Sequence, residues 1–354
     1  MENVKIAVVG CGTISQLNVP GYLKHPRCKV TALCDPIPER AEQRAKDWGI
    51  EANIYTDIEE VLKDSSVDAI ELLTPTHLHA EQAISALQTG KHVSCQKPIS
   101  NNLSEATRIC EVAENSSALF RVTENFIYYP PLVKAKELLD SGVIGEPSMI
   151  RIRTVRGPKR SVPGYEVEPE AYAWRDNPTL NAGGTLFDDG WHKYATAMWM
   201  IGDVEKVQAM ITKTEDYTLE APSSITWKFK NRDCLAVFDY LSAPGMFIRT
   251  KYYPLDEFFE IQGSKGTLWV TKCTGEMLDL PPVMLHNGSS TENIYVPSDW
   301  IEGFNGAADE FISCITDGGQ PSLDAHFSKK ILQVTLAAYE SSRLNHFVSP
   351  EEIT

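Results

Sequence analysis

Short apolar runs alternate with helical patterns over the first 123 residues. The runs show little polar alternation, which is typical of strands buried on both faces of a parallel sheet. We predict strands at 5–9, 29–34, 69–73, 92–95 and 118–123. Helices are predicted between them, for example at 38–48 and 77–88, and Thr56-Asp57-Ile58-Glu59 predicts a capping box. Repeated strand–helix units of this length indicate a doubly wound parallel sheet.

The pattern changes after residue 124. Pro130-Pro131 introduces a predicted helix at 132–140, a strand follows at 148–155, and a long polar loop is expected at 156–182. A helix is predicted at 186–200, and strands at 204–214, 224–229, 235–241, 258–263 and 267–270. Two final helices are expected at 304–316 and 325–343. Turn residues separate these strands, so this part predicts an α+β domain with a mostly antiparallel sheet.

Length and composition favour two domains. The chain has 354 residues, of which 42% are hydrophobic and 23% charged, and this is an ordinary globular composition. Domains usually hold about 100–200 residues. We therefore predict an α/β fold class with one domain at 1–124 and a second at 125–354, and we expect the last helix to pack back on the first domain.

Charge and cysteine spacing exclude several classes of protein. A net charge of −15 repels nucleic-acid backbones, and we interpret the basic stretch at 151–160 as a strand edge and loop with a solvated face. The eight cysteines include no Cys-x-x-Cys pair, so no metal site is predicted and a reducing compartment fits. No apolar run approaches the roughly 18 residues of a membrane span, and no signal-peptide pattern opens the chain. We expect a cytoplasmic protein with no nucleic-acid or membrane partner.

Gly10-Cys11-Gly12-Thr13-Ile14-Ser15 lies between the first predicted strand and the first helix, as a dinucleotide-binding fingerprint does. Its first glycine permits the tight turn, and its second lets a pyrophosphate approach the helix N-terminus. Serine replaces the third glycine of the pattern. Asp35 ends the second strand, where an acidic residue accepts hydrogen bonds from ribose hydroxyls. Its charge repels a 2′-phosphate and favours NAD over NADP, while Arg40 can offset that repulsion or lie against adenine.

Two more motifs directly follow predicted strands. Thr74-Pro75-Thr76-His77-Leu78-His79 comes after the strand at 69–73, and Gln96-Lys97-Pro98 comes after the strand at 92–95. Open α/β sheets bind their ligands at this carboxyl edge. We therefore expect the first motif to border a cofactor and Lys97 to point into the cleft. The spacing leaves open whether His77 has any role.

The stretch 183–192 reads Gly-Gly-Thr-Leu-Phe-Asp-Asp-Gly-Trp-His and places Asp188 and His192 four residues apart. On a helix the two side chains project from one face. His192 can then accept a hydroxyl proton, while Asp188 orients the imidazole and stabilises its charged form. A buried structural pair is the alternative.

Together these motifs resemble the Gfo/Idh/MocA family, named for glucose–fructose oxidoreductase, inositol dehydrogenase and rhizopine catabolism. The resemblance covers nearly the whole chain, because the fingerprint, Thr74-Pro75 with His79, Lys97-Pro98, Trp174-Arg175 and Asp188 with His192 occur in the family's order. It implies an N-terminal Rossmann domain that binds NAD. It also implies a C-terminal α+β domain whose open, mostly antiparallel sheet often joins family members into dimers or tetramers.

The resemblance also implies residue roles. The catalytic groups fall on Lys97, Asp188 and His192. Cofactor contacts fall on Gly10, Gly12, Thr13, Ile14, Asp35, Arg40, Thr74, Pro75, His79, Gln96, Lys97 and Asn125. Substrate contacts are expected from Lys97, Trp174, Arg175, Asp188 and His192, and from Tyr129, for which core packing is the alternative. Gln96 stands where the family usually has glutamate, so it can hydrogen-bond a nicotinamide ribose but carries no charge.

The activity implied is reversible hydride transfer, in which a secondary hydroxyl of a sugar, glycoside or inositol becomes a ketone and NAD takes the hydride. Lys97 would stabilise the developing alkoxide. One alternative is a redox-neutral sugar enzyme that keeps NAD bound during epimerisation or oxidation–elimination. Another is a regulator that binds NAD and a sugar without turnover. A homodimer or homotetramer is expected, with the apolar run at 234–240 suited to the interface.

Overall fold

A computed structural model describes residues 3–158, 165, 167, 173–214 and 218–354 of the chain. Most of the predicted loop at 156–182 lies outside these residues, as do Lys159 and Arg160 of the basic stretch. The chain forms two compact units. The first comprises Met1–Glu124, Glu168–Ala182 and Phe304–Leu332, and the second comprises Asn125–Val167, Gly183–Gly303 and Gln333–Thr354.

Within the described residues of the first unit, six strands form a parallel sheet in the order β3-β2-β1-β4-β5-β6. The strands are Val4–Val9 (β1), Cys28–Cys34 (β2), Asn53–Tyr55 (β3), Ala69–Leu72 (β4), His92–Gln96 (β5) and Phe120–Thr123 (β6). The helices between them are Ser15–Lys24 (α1), Pro38–Trp48 (α2), Ile58–Lys63 (α3), Thr76–Gln88 (α4) and Leu103–Glu114 (α5). The predicted doubly wound sheet is confirmed, and its strand order reverses between β1 and β4, the position where such sheets bind ligands.

The core of the first unit surrounds the central strand β1. Val4, Ile6 and Val8 are buried with Val19 of α1, and Phe311 joins this cluster from a late helix, α9 (Ile301–Asp317). Gly21 of α1 permits the contact between these helices, since a Cβ there would lie 2.7 Å from the Cβ of Ala308. Residues far apart in the chain therefore complete one core.

The second unit contains a mixed sheet in the order β14-β13-β12-β11-β7-β10-β9-β8 among the described residues. Its strands are Pro147–Arg156 (β7), Val204–Ile211 (β8), Ser223–Phe229 (β9), Leu235–Ser242 (β10), Leu255–Gly263 (β11), Thr267–Val270 (β12), Val283–His286 (β13) and Thr291–Ile294 (β14). Its helices are Pro130–Asp140 (α6), Thr185–Asp188 (α7) and Gly190–Ile201 (α8), and the long helix Ala325–Leu344 (α10) ends within it. β7 and β10 pair in parallel and the other neighbours are antiparallel, which confirms the predicted fold class.

Several expectations about local structure are wrong. The helix predicted at 186–200 is two helices, α7 and α8, separated at Asp189. The strand predicted at 204–214 ends at Ile211, and β3, β13 and β14 were not predicted. The basic stretch is not a sheet edge, because β7 lies between β10 and β11 and its Arg151 pairs with Glu260. The capping box at 56–59 is replaced by Asp57, whose carboxylate accepts the Glu59 N–H at 3.0 Å.

Candidate active site

The fingerprint loop turns between β1 and α1 at the reversal of the strand order. Gly10 has a φ of +98°, and a Cβ there would lie 2.7 Å from the carbonyl oxygen of Leu73. Only glycine fits this close approach without strain. Ser15, in place of the third glycine, closes the turn by donating its hydroxyl to the Gly12 carbonyl at 2.7 Å. Gly12, Thr13 and Ile14 therefore directly precede the N-terminus of α1, which favours anions.

Asp35 is bound to this loop. Its side chain is almost fully buried, and its two oxygens accept the N–H groups of Cys11 and Ile37, each at 2.9 Å. Arg44 of α2 donates its Nε to the Cys11 carbonyl at 3.2 Å. Arg44 was not predicted, yet it lies four residues after Arg40 and thus on the same helix face. Arg40 and Arg44 therefore share one face of α2, and Arg44 is bonded to the loop that also holds Asp35.

His79 of α4 connects the loops that follow β4 and β5. Its Nδ1 lies 2.8 Å from the Pro98 carbonyl and its Nε2 lies 2.8 Å from the Thr74 carbonyl. Burial lowers the pKa of His79 to about 4, so the ring is neutral at pH 7 and donates to one of the two carbonyls. The Thr74 hydroxyl donates a hydrogen bond to the side-chain oxygen of Gln82 at 2.6 Å. The His79 ring thus positions the backbone beside Lys97.

Lys97 follows β5 and is half-buried. The side-chain oxygen of Gln96 accepts the Lys97 N–H at 2.9 Å. This is a contact that the glutamate usual in the family would also provide. The Lys97–Pro98 peptide bond is cis. Lys97 therefore lies in a backbone segment that Gln96 and His79 hold from two sides.

Trp174 and Arg175 lie in the first unit, in a segment tied to the loop after Lys97. Asn101 donates its amide nitrogen to the Leu180 carbonyl at 2.9 Å and accepts the Ala182 N–H at 3.2 Å. The Arg175 guanidinium lies over the Trp174 ring, 4.3 Å from its centroid. This stacking keeps a cation and an aromatic surface together.

His192 lies on α8 in the second unit and is 7% exposed. Its ring stacks on Phe126 with centroids 4.6 Å apart and planes inclined by 19°. The backbone N–H of His192 donates to the backbone carbonyl of Asp189 at 3.2 Å, which closes a three-residue turn where α7 meets α8. Asp188 is the last residue of α7 and is half-buried. The two predicted residues therefore do not share one continuous helix, since Asp188 ends the four-residue α7 and His192 lies in the first turn of the twelve-residue α8.

An aromatic cluster continues from Phe126. Trp300 meets Phe126 edge-on at 6.4 Å, and the rings of Tyr252 and Tyr253 lie 5.5 and 6.0 Å from Trp300. Tyr165 packs on both tyrosines, and its hydroxyl donates to that of Tyr253 at 2.9 Å. This cluster was not predicted from the sequence, although the adjacent residues Tyr252 and Tyr253 could have indicated it.

A buried ion cluster lies next to His192 in the chain. The Lys193 ammonium is 2.8 and 2.9 Å from the two oxygens of Asp189 and 3.5 Å from Glu257, and Lys193 and Glu257 are fully buried. Burial opposes the charge on Lys193, but Asp189 and Glu257 outweigh it and raise the pKa of the ammonium. Burial raises the pKa of Glu257, against the lowering effect of Lys193. The Lys193 ammonium also lies 5.0 Å from the centre of the Phe126 ring, so this cluster supports the ring on which His192 stacks.

Tyr129 and Asn125 are both buried. The Tyr129 hydroxyl donates to the Ser298 carbonyl at 2.9 Å. The amide nitrogen of Asn125 has no hydrogen-bond partner among the described residues, and Gly303 approaches its backbone so closely that a Cβ would lie 2.4 Å from the Asn125 carbonyl. A buried donor without a partner is costly, so Asn125 suits a ligand that supplies an acceptor.

The described ranges contain neither a cluster of metal-ligating side chains nor a membrane-spanning helix. There, no three His, Cys, Asp or Glu side chains come together as a metal site would require. No helix in the same ranges combines the length and apolar composition needed to cross a membrane.

Comparisons with known proteins show what this chain is similar to in sequence and fold. The model of the GFO/IDH/MocA oxidoreductase family, an NAD-binding Rossmann fold, matches residues 4–124, and the family's C-terminal domain model matches residues 132–269. Uncharacterized protein YMR315W of Saccharomyces cerevisiae is 29% identical over 83% of this chain and 80% of its own length. Myo-inositol 2-dehydrogenase of Thermotoga maritima is 24% identical over 99% of both chains. The structure of levoglucosan dehydrogenase with NADH and levoglucosan aligns with a TM-score of 0.83 at 19% identity, over 98% of this chain and 99% of that one.

Proposed function

The chain belongs to the Gfo/Idh/MocA oxidoreductase family, and from this premise we propose that it is an NAD-dependent dehydrogenase of a sugar, glycoside or inositol. The reaction oxidises a secondary hydroxyl to a ketone. The observation that carries the proposal is the fingerprint loop, with Gly10 at a φ of +98° and Asp35 bonded to the same loop. The relatives that act on inositols and anhydrosugars support the class of substrate.

The described residues fit a nicotinamide dinucleotide. The N-terminus of α1 would hold the pyrophosphate through the backbone of Gly12, Thr13 and Ile14. The Asp35 carboxylate would accept ribose hydroxyls, and its charge favours NAD over NADP. The buried amide nitrogen of Asn125 is a donor that a cofactor carbonyl or ribose would satisfy. When bound, NAD supplies the acceptor for the hydride.

Lys97 and His192 carry the remaining chemistry, and Phe126 and Asp188 position His192. Lys97 donates a hydrogen bond to the reacting oxygen and stabilises the negative charge that develops there. His192 accepts the hydroxyl proton at an imidazole nitrogen. Phe126 fixes the plane of that ring by stacking, and Asp188 orients it and stabilises the imidazolium.

Aromatic and charged surfaces suit a polyol. The Trp174–Arg175 pair offers an apolar ring face beside a hydrogen-bonding cation. Tyr252, which is partly exposed and packs against Trp300, offers a second aromatic ring. Sugars and inositols present both C–H faces and hydroxyl edges, and these surfaces match the two features.

We also propose that copies of the chain associate through the sheet of the second unit. Leu235 and Leu241 of β10 are 41% and 38% exposed, although this strand lies between β7 and β9. Sedimentation of wild type and of a Leu235→Glu variant tests the assembly. A variant that sediments like wild type contradicts this interface.

The cytoplasm is the proposed location, since all eight cysteines are free thiols.

The function is tested by absorbance at 340 nm with enzyme at stoichiometric concentration, excess NAD and a panel of inositols, hexoses, pentoses and glycosides. We expect one substrate class to produce NADH. Lys97→Ala should lose most of kcat and keep NAD affinity, while the control Lys63→Ala, at an exposed lysine of α3, should behave as wild type. Turnover that survives in Lys97→Ala contradicts the role of Lys97. No NADH from any substrate, despite NAD binding, contradicts the dehydrogenase, and product analysis then separates a redox-neutral enzyme from a regulator.

A further inference from the structure

Glu220 is a buried carboxylate that takes no part in the roles assigned above. It is 5% exposed and precedes β9 in the second unit. One carboxylate oxygen, Oε2, accepts the backbone N–H of Leu186 at 2.9 Å and the hydroxyl of Tyr339 at 2.8 Å. Leu186 belongs to α7, the four-residue helix that ends at Asp188. Glu220 is therefore bonded to the turn that carries a proposed catalytic side chain.

The backbone around Glu220 binds the same turn. The Glu220 N–H donates to the Thr185 hydroxyl at 3.2 Å, and the Thr185 N–H donates to the Thr218 carbonyl at 2.8 Å. Two backbone groups of the 218–220 segment thus add to the carboxylate contact. The carboxylate also lies at the helix N-terminus, where negative charge is favourable.

Two glycines make room for these contacts. A Cβ on Gly184 would lie 2.6 Å from the Thr218 carbonyl oxygen and 2.8 Å from the carboxyl carbon of Glu220. A Cβ on Gly183 would lie 2.5 Å from the Tyr339 hydroxyl. The Gly-Gly step before α7 is therefore explained by the approach of Glu220 and Tyr339.

We propose that Glu220 and Tyr339 are positioning residues for Asp188, and through it for His192, because together they clamp the first turn of α7. The inference rests on the proposed function. A helix of four residues has little stability of its own, so external bonds must hold it in place. A displacement of about 1 Å at a reacting group can lower the rate about a hundredfold. Glu220 is bonded to the backbone of α7 and acts through it.

The experiment compares full-length variants by steady-state kinetics and by amide hydrogen exchange of peptides covering 184–189. Glu220→Ala removes the acceptor, whereas Glu220→Gln keeps an oxygen that can accept both hydrogen bonds. Tyr339→Phe removes one buried hydroxyl from the clamp. Tyr194→Phe is the matched control, because the hydroxyl of Tyr194 is also buried but has no hydrogen-bond partner among the described residues.

We expect Glu220→Ala to lower kcat by about tenfold or more while the KM for NAD stays within about twofold, and to speed exchange at 184–189. Glu220→Gln should recover kcat to within about threefold of wild type, and the control should match wild type. A folded Glu220→Ala that retains kcat within about threefold, or exchanges at the wild-type rate, overturns the proposal. If Glu220→Ala does not fold, the test is made with Tyr339→Phe. A Tyr339→Phe variant whose kcat and exchange rate equal those of Tyr194→Phe overturns the proposal. Hydrogen exchange needs no substrate, so a wild type that produces no NADH refutes the proposed function while the clamp is still judged.

Discussion

Replacing Lys193 by methionine is expected to destabilise the second unit strongly. The ammonium is fully buried, lies 2.8 and 2.9 Å from the oxygens of Asp189 and lies 3.5 Å from Glu257. Methionine keeps most of the side-chain volume, so the change removes the positive charge and leaves the carboxylates of Asp189 and Glu257 without their counter-ion. Removing one partner of a buried ion pair costs about 3–5 kcal/mol, because the remaining charge stays desolvated and uncompensated. We expect a loss of this size in the free energy of unfolding at pH 7.5.

The loss in the free energy of unfolding should become smaller as the pH falls. Burial already raises the pKa of Glu257, and without Lys193 the pKa rises further. A carboxyl whose pKa is higher in the folded state than in the unfolded state, where it is about 4.3, destabilises the fold above that unfolded value. As the pH falls, the buried carboxyl protonates and the cost is relieved. The difference between wild type and Lys193→Met should therefore shrink between pH 7.5 and pH 5.

The assay is urea unfolding at both pH values, followed by the fluorescence of tryptophans such as the buried Trp227. Lys228→Met is the control, because Lys228 pairs with Glu205 at the surface and such pairs contribute about 0–1 kcal/mol. Adding Glu257→Gln to Lys193→Met should recover part of the loss. A loss below about 1 kcal/mol at pH 7.5, or an equal loss at both pH values, would refute the reasoning.

Two further predictions concern the cofactor. Gly10→Ala should weaken NAD binding by tenfold or more and lower Tm, because the new Cβ would lie 2.7 Å from the Leu73 carbonyl oxygen. Gly49→Ala is the control, because Gly49 has a φ of +64° and a Cβ there would meet nothing within 4 Å. It should lower Tm by a smaller amount and leave the NAD Kd unchanged. Equal Kd values for the two variants would count against the fingerprint assignment. Asp35→Asn removes the charge expected to repel a 2′-phosphate, so the ratio of NADP to NAD affinity should rise by about tenfold. Fluorescence titration with both cofactors checks this, and an unchanged ratio would contradict the role of Asp35.

Local signals accounted well for the first unit. Pro38 and Gly49 bracket α2, and the structure starts and ends that helix where these residues indicate. Five of the six parallel strands were recognised because they are buried apolar runs, whereas the partly exposed β3 was missed. In the second unit β14 was missed, since Thr291–Ile294 has three exposed residues and no apolar run. Its strand character comes from pairing with β13, a tertiary effect that no short window contains.

The same division applies to the site. Lys97 and Asp35 were predicted as site residues because each directly follows a strand, and position after a strand is a local property. Glu220 had no such signal, since its partners Leu186 and Tyr339 are 34 and 119 residues away in the chain. The buried position of Lys193 was equally invisible, because a lysine four residues after Asp189 on a helix is usually a solvated pair. Residues that support the proposed catalytic groups therefore required the fold, whereas those proposed to contact ligands were indicated by their local position.

The late completion of the first core has a consequence for biosynthesis. Ala308, Phe311 and Ile312 share a core with Val4 and Ile6, and the Val122 N–H donates to the Leu323 carbonyl at 2.9 Å. A ribosome must add about 180 residues after the first 124 before these partners emerge, which takes roughly 10–40 s at 5–20 residues per second. During that interval the nascent parallel sheet exposes an apolar surface that the finished protein covers. The parallel sheet is thus synthesised well before the residues that complete its core.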